Sequence, residues 1–450
     1  MGWFDRARSL VLPRFAMTAE LHYRLSIAPE LELFRPEIEY VCDFLDDCYL
    51  LRRAAEAPRV LHYGAAAPRD AFAVPARLFP AYVRVDRHGM HPRRQELAAF
   101  AKENRPPRNN RDWNGAIGYD AVGLIFLLLS RLEERDHPAR DRYERFSIEA
   151  AVFPPEQGRL FPFADRAAED IARALTGETR PRRRTSYDVL FTHDVDTLRG
   201  YHRPFEPLRH ALGDIVKRAN PKAAITRLQK AYRAGEPWSS FRRLMDLSER
   251  HGLTSHFYFM GPSDDPMDSP YAVTMQPLLR AVVCEVRERG HVAGFHPGFR
   301  TATDAHEWSR QREGLEAVVG APVREGRQHV LRYDAAVTPR IWSDAGMALD
   351  CTLAYPEATG FRSGTCRAHR AYDLVARCGL PLRQLSTAVV EFGLFGGKYR
   401  DLSVDRALSD ALWAATTCRQ FGGTFSVLFH TGQTDRHLWA WLDRMIAEAA

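Results

Sequence analysis

From residue 187 to the C-terminus the chain repeats one rhythm, a short apolar run followed by a longer segment of helical periodicity. The runs are Tyr187 to Thr192, His256 to Met260, His291 to His296, Val323 to Val330, Met347 to Leu353, Leu382 to Val390 and Thr424 to Phe429. Each predicts a strand. Between most of them the patterning predicts helices, over Ser239 to Arg250, Met275 to Arg289, Ala305 to Val319, Ala336 to Ala345 and Val404 to Phe421. Strands that alternate with helices must run parallel, because each return crosses over a face of the sheet. The fold class is therefore α/β, with a parallel sheet that is open or closed into a barrel. No short repeat recurs, so a solenoid is not expected.

The 450 residues are enough for two or three domains at about 100 to 200 residues each. The sharpest break in composition lies between Thr176 and Ser186, where Gly177, Pro181 and Arg180, Arg182, Arg183 and Arg184 separate two apolar-patterned regions. It reads as a solvated linker, since an RNA-binding arm would interleave aromatic residues with the arginines. The boundary predicts a smaller α/β N-terminal domain over 1–180 and a second domain over 181–450. In the first, Pro36 to Leu51 and Ala116 to Glu134 predict helices and Val60 to Tyr63 a strand. Trp113, Asn114 and Asp120 read as a loop and a helix cap.

Composition narrows the function classes. Lys+Arg 63 against Asp+Glu 57 is a small excess for this length and makes no case for a nucleic-acid binder, although it suits an anionic substrate or a membrane surface. The seven cysteines are scattered, with no Cys-x-x-Cys spacing, and read as reduced core thiols. Ser9-Leu-Val-Leu12 is too short for a secretory segment, and Ala121 to Leu129 is far below the ~20 residues of a membrane span. A soluble cytoplasmic protein is the expectation.

In parallel α/β architectures the reactive groups gather at the C-terminal ends of strands. The first run leads into His193-Asp194-Val195-Asp196, and strand alternation places Asp194 and Asp196 on one side with His193 on the other. Carboxylates this close repel unless a cation or a shared proton relieves them, which points to a metal site. The third run ends in His296-Pro-Gly, the fourth contains Arg327-Gln-His329-Val-Leu-Arg332, and the last ends in His430-Thr-Gly. Together these ends bring Asp, His and Arg to one rim, the set needed for metal-assisted hydrolysis. Oxygen and imidazole donors without thiolate suit zinc or another divalent first-row ion.

Residues 187 to 435 resemble the polysaccharide deacetylases of the NodB-homology group of carbohydrate esterases. Thr192-His-Asp194-Val-Asp196 is similar to the aspartate motif of that family, and Gly290-His-Val-Ala-Gly-Phe-His296 to its histidine motif. Arg327-Gln-His329-Val-Leu-Arg332 stands in the place of the arginine motif, and Leu428-Phe-His430 resembles the last. Ala345 to Leu353 and Gly360 to Thr365 are similar to a bacterial branch that carries a separate N-terminal domain. The resemblance implies a distorted (β/α) barrel and a divalent cation, zinc by its ligands. It also implies removal of acetyl groups from a glycan or glycan precursor by an activated water. By position in the motifs Asp194 is the base, His430 the general acid, and Arg327 or Arg332 orients the base. Asp196 and His296 are metal ligands, with the two aspartates open to exchange of roles. Where the family has a second ligand histidine four residues after the first, this chain has Arg300. Either His329, His291 or His193 then completes the ligand set, or the chain is a degenerate carbohydrate-binding member. Arg300 and Arg332 are candidates to contact the acetylated carbohydrate. A nucleotide-sugar glycosyltransferase would explain Asp194 and Asp196 but leaves His296 and His430 without a task.

Overall fold

The computed structural model describes residues 20–65, 68, 70–108, 116–198, 206–216, 219–222, 224–225, 228, 238–433 and 435–450. Ser9 to Leu12, Trp113 and Asn114 lie outside them.

The strand-and-helix rhythm folds into one nine-stranded sheet. From edge to edge its strands are His369–Asp373, Cys378–Gln384, Leu349–Asp350, Glu325–Gly326, Val292–Phe295, Ser255–Phe259, Asp188–Val195, Thr424–Leu428 and Val389–Val390. Every pair is parallel except the first, a hairpin. The sheet curls into a half-barrel, and its two edge strands do not pair with each other. Helices Trp238–Arg250, Gln276–Glu288, Ala305–Val319, Thr338–Asp344 and Val404–Phe421 are those expected from periodicity, to within two residues at either end. Their apolar faces meet the sheet in one cluster that includes Phe191, Phe257, Phe295, Trp308, Trp342 and Phe425. Two of the helices carry side-chain N-caps, Asp304 to Glu307 N–H and Ser403 to Arg406 N–H, and both end on a left-handed glycine, Gly320 and Gly422.

Several strands are shorter than their apolar runs. Val323 to Val330 yields a strand only at Glu325–Gly326, Met347 to Leu353 only at Leu349–Asp350, and Leu382 to Val390 divides into two. A Cβ at Gly326 would lie 1.9 Å from the Phe295 carbonyl oxygen, so no other residue fits this crossing. The chain then leaves the ladder and puts Arg327 and His329 at the rim. The hairpin strand His369–Asp373 carries no apolar alternation to announce it.

The N-terminal half builds a parallel four-stranded sheet, in the order Leu51–Arg53, Leu21–Ile27, Arg59–Tyr63, Ala71–Val74. Against it pack helices Arg35–Cys48, Ala121–Leu129 and Phe163–Thr176, the second buried on all sides, as its unbroken apolar sequence requires. Asp120 caps that helix, accepting from Gly123 N–H at 2.7 Å and from Tyr63 Oη at 3.0 Å. The arginine-rich connection is not free in solvent. Arg184 pairs with Glu20 at 2.8 Å and donates to the Asp46 and Leu51 carbonyls, and Arg183 pairs with Glu169 at 3.3 Å. Five of the seven cysteines are buried as thiols. No helix among the described residues is long and apolar enough to cross a membrane.

Buried charge joins the two halves. Glu134 receives Arg131 Nε at 2.8 Å and the Arg362 fork at 2.9 and 2.7 Å, all three side chains being sequestered from water. Burial raises the Glu134 carboxyl, but Arg362 and Arg131 more than reverse this and hold it at about 2, against an ordinary 4.5. Asp165 similarly meets Arg367 at 2.9 Å, and Glu37 meets Arg377 at 2.8 Å. Because the folded carboxyl titrates below its unfolded value, the stabilisation from Glu134 is complete above the unfolded pKa and disappears as pH falls toward about 2. Glu134→Gln, which leaves the buried Arg362 without its carboxylate and Arg131 with Glu133 alone, should cost about 3 kcal/mol at neutral pH. Denaturant unfolding from pH 7 downward checks this: the gap between wild type and variant should close below the ordinary carboxylate range.

Candidate active site

Strand Asp188–Val195 carries its alternation past the edge of the ladder, and the two aspartates face the same cavity while His193 turns away. His193 is buried between Phe191 and Phe257, paired with the Phe429 carbonyl at 2.9 Å and Ser255 Oγ at 3.1 Å. Burial pushes its imidazole down to about 3, so it stays neutral. His291 stands at the other end of its strand, where it accepts the Ser255 N–H at 3.0 Å and lies 3.3 Å from Glu249. Neither histidine reaches the aspartates.

Asp194 is held by Arg327, whose Nη1 donates to Oδ1 at 2.7 Å. The guanidinium is fully buried and every arm is used: Nη2 donates to Thr192 and Thr387 Oγ1, each at 2.8 Å, and Nε to the Cys351 carbonyl at 3.0 Å. A rigid fork of this kind fixes the carboxylate and leaves its Oδ2 to the cavity.

Asp196, His296 and His329 each offer one ligand atom, all within 4.8 Å of one another. The His296 Nδ1 faces the Arg327 carbonyl at 2.6 Å and the His329 Nδ1 faces Asp268 Oδ1 at 2.7 Å, which leaves both Nε2 atoms for the cavity. His296 Nε2 lies 3.3 Å from Asp196 Oδ1, yet neither atom has a hydrogen-bond partner. Burial raises the Asp196 carboxyl, but the approach of His296 and the charges of His430 and His329 overcome it and hold the group well below the carboxylate range. Unsatisfied polar atoms of this kind are rare in folded proteins. One divalent cation would satisfy them, and a carboxylate with two imidazoles is a donor set suited to zinc with a position left open.

His430 faces these groups from the end of strand Thr424–Leu428. Its Nδ1 pairs with Glu391 Oε1 at 2.6 Å, its backbone N–H donates to the same oxygen at 3.1 Å, and its Nε2 lies 3.7 Å from Asp196 Oδ2. Burial lowers the imidazole, but Glu391 above all, with Asp196 and Asp194, drives it up to about 10. The cavity shared by these residues measures about 480 Å³. Its wall includes Phe392, Leu428 and Leu331 from the barrel and Arg142, Tyr143 and Arg145 from the N-terminal half.

Arg300 and Arg332 do not line it. Arg300 is exposed and pairs with Asp265 at 2.7 Å. Arg332 donates to the Phe299 carbonyl at 2.8 Å, lies over the Phe299 ring and pairs with Glu144.

No family model matches the chain, and no curated protein does either. Solved structures do match. One is of a Mycobacterium smegmatis protein assigned as a polysaccharide deacetylase, at 18% identity over 59% of this chain and 84% of the other, with a TM-score of 0.38. The chain is similar to polysaccharide deacetylases. A second match is a mutant of a CE4 family pseudoenzyme with restored enzymatic activity, at 12% identity over 59% of this chain and 62% of the other, with a TM-score of 0.31. Another mutant of a CE4 family pseudoenzyme matches at 12% identity over the same shares, with a TM-score of 0.30. The chain spans less than two thirds of the length of these last two.

Asp268, Glu391, Thr192 and Thr387 hold the candidate side chains, and of these only Thr192 is named from the sequence, as the head of the aspartate motif. Asp268 lies in a loop away from any strand end, whereas Glu391 directly follows strand Val389–Val390, and its place at that strand end is the signal that could have found it. Asp268 depends on Gly298, at which a Cβ would come 2.1 Å from Asp268 Oδ2. Gly298→Ala should therefore displace the Asp268 carboxylate and break its 2.7 Å contact with His329, at an overpacking cost of about 1–3 kcal/mol. A crystal structure of the variant, with its unfolding midpoint, checks both.

Proposed function

We propose that the chain is a metal-dependent hydrolase that removes acetyl groups from the amide nitrogen of a glycan or glycan precursor. The observation that supports this reading best is the placement of Asp194, clamped by Arg327, beside the convergent Asp196, His296 and His329, with His430 facing the same point. Asp196, His296 and His329 would hold the cation. A divalent ion bound there, zinc by the nature of its ligands, supplies a water of lowered pKa and a Lewis acid for the carbonyl.

The chain's own groups then divide the proton traffic. Asp194 takes the proton of the attacking water at Oδ2, the oxygen that Arg327 leaves free, and Arg327 keeps that oxygen aimed at the cavity. His430 is held protonated by Glu391, and the Glu391 contact at Nδ1 turns the Nε2 proton toward the cavity. From there it passes to the departing amine nitrogen, without which an amide does not cleave. Phe392, Leu428 and Leu331 give an apolar wall against which an acetyl methyl can pack, and a cavity of about 480 Å³ has room for sugar-sized ligands.

Zinc-loaded protein incubated with N-acetylated oligosaccharides should release acetate, read by a coupled acetate assay. Asp194→Asn should lower kcat by about 10²- to 10⁴-fold while bound zinc is unchanged. Retention of zinc with no acetate from any N-acetylated glycan would overturn the reading in favour of a carbohydrate-binding protein.

A further inference from the structure

The third ligand position is supplied by His329, and His329 stands at the start of an unusual turn. Val330 has φ 51° and ψ 20°, and Leu331 has φ 60°. Two successive residues other than glycine in the left-handed region, one of them β-branched, cost about 1–3 kcal/mol each and persist only where neighbours hold them. On the barrel side His329 is fixed by its backbone N–H to the Pro297 carbonyl at 2.9 Å and by Asp268. These anchors fix the ring, and within the turn the Leu331 N–H donates to the Gln328 carbonyl at 3.0 Å and the Arg332 N–H to the His329 carbonyl at 3.2 Å.

The Val330 carbonyl itself is held from the other half of the molecule. Arg145 Nη1 donates to the Val330 carbonyl at 3.3 Å. The guanidinium is itself immobilised, since Nε donates to Asp141 Oδ2 at 2.8 Å, the backbone N–H to Asp141 Oδ1 at 3.0 Å, and Nη2 lies 3.5 Å from Tyr399 Oη. Around it, Arg140 Nη1 lies 3.5 Å from the Tyr333 carbonyl and Glu144 pairs with Arg332. Residues 140–145 thus grip 330–333 at three points.

We propose that Arg145 is a positioning residue for His329: by holding the Val330 carbonyl it keeps the left-handed turn that presents the His329 Nε2 to Asp196 and His296. This assigns the N-terminal half a part in the metal site that no ligand of its own supplies. The inference rests on the metal reading above.

The test is zinc affinity of the full chain, by competition with a chromophoric chelator, alongside thermal unfolding of the metal-free protein. Arg145→Ala should weaken zinc about 10- to 100-fold, the range for loss of a group that orients a ligand. Arg145→Lys, which keeps the charge but not the fork, should fall between the two. Glycine adopts φ 51° without strain, so Val330→Gly in the Arg145→Ala background should restore zinc affinity even though it adds no contact. Rescue of that kind does not follow from a general loss of stability. Wild-type affinity in Arg145→Ala, or no rescue by Val330→Gly, would overturn the inference. Failure of the wild-type chain to bind zinc would instead overturn the metal reading, and the inference with it.

Discussion

A buried guanidinium needs a buried anion, and in this molecule that requirement organises the rim of the sheet. Arg327 reaches Asp194, Thr192, Thr387 and the Cys351 carbonyl from one position, so it ties its own segment to three others. Removing an ion pair from water is expensive and is repaid only when every arm finds a partner. Here every arm does. The consequence for chemistry is a carboxylate with one oxygen committed and the other open, at a fixed distance from the two imidazoles.

The same physics recurs between the halves. Arg131, Glu133, Glu134 and Arg362 form one buried cluster, and Asp165 with Arg367 and Glu37 with Arg377 repeat the pairing at two further points. Tyr333, Leu353, Tyr372 and Leu374 of the second half belong to the apolar cluster built around Tyr23, Ile38 and Phe126 of the first. An interface made of satisfied charge and shared core is stiff. That stiffness is what allows residues 140–145 to act on a turn more than 180 positions further along the chain.

Much of the fold was legible because periodicity reports burial. The helices Ala305–Val319 and Val404–Phe421 coincide with their sequence patterns, since caps and left-handed glycines mark their ends. The short strands were less so: an apolar run shows that residues are buried without showing whether they pair. Val323 to Val330 is the case in point, where the ladder covers two residues and the rest becomes the turn that carries His329. The arginines of the connecting segment read as solvated, and Arg183 and Arg184 instead pair with the N-terminal half, a choice no local pattern encodes.

For the candidate site, the sequence by itself determined Asp194, Asp196, His296 and His430 as rim residues, because each terminates an apolar run and alternation fixes the side it faces. Tertiary structure alone decided that His329, rather than His193 or His291, joins Asp196 and His296. It also decided that Asp268, Glu391 and Arg145 hold the rest in place. The physical reason is range. Strand alternation acts between neighbours along the chain, whereas a hydrogen bond between a loop and a distant turn depends on where packing brings them, and that is not written in the spacing of either.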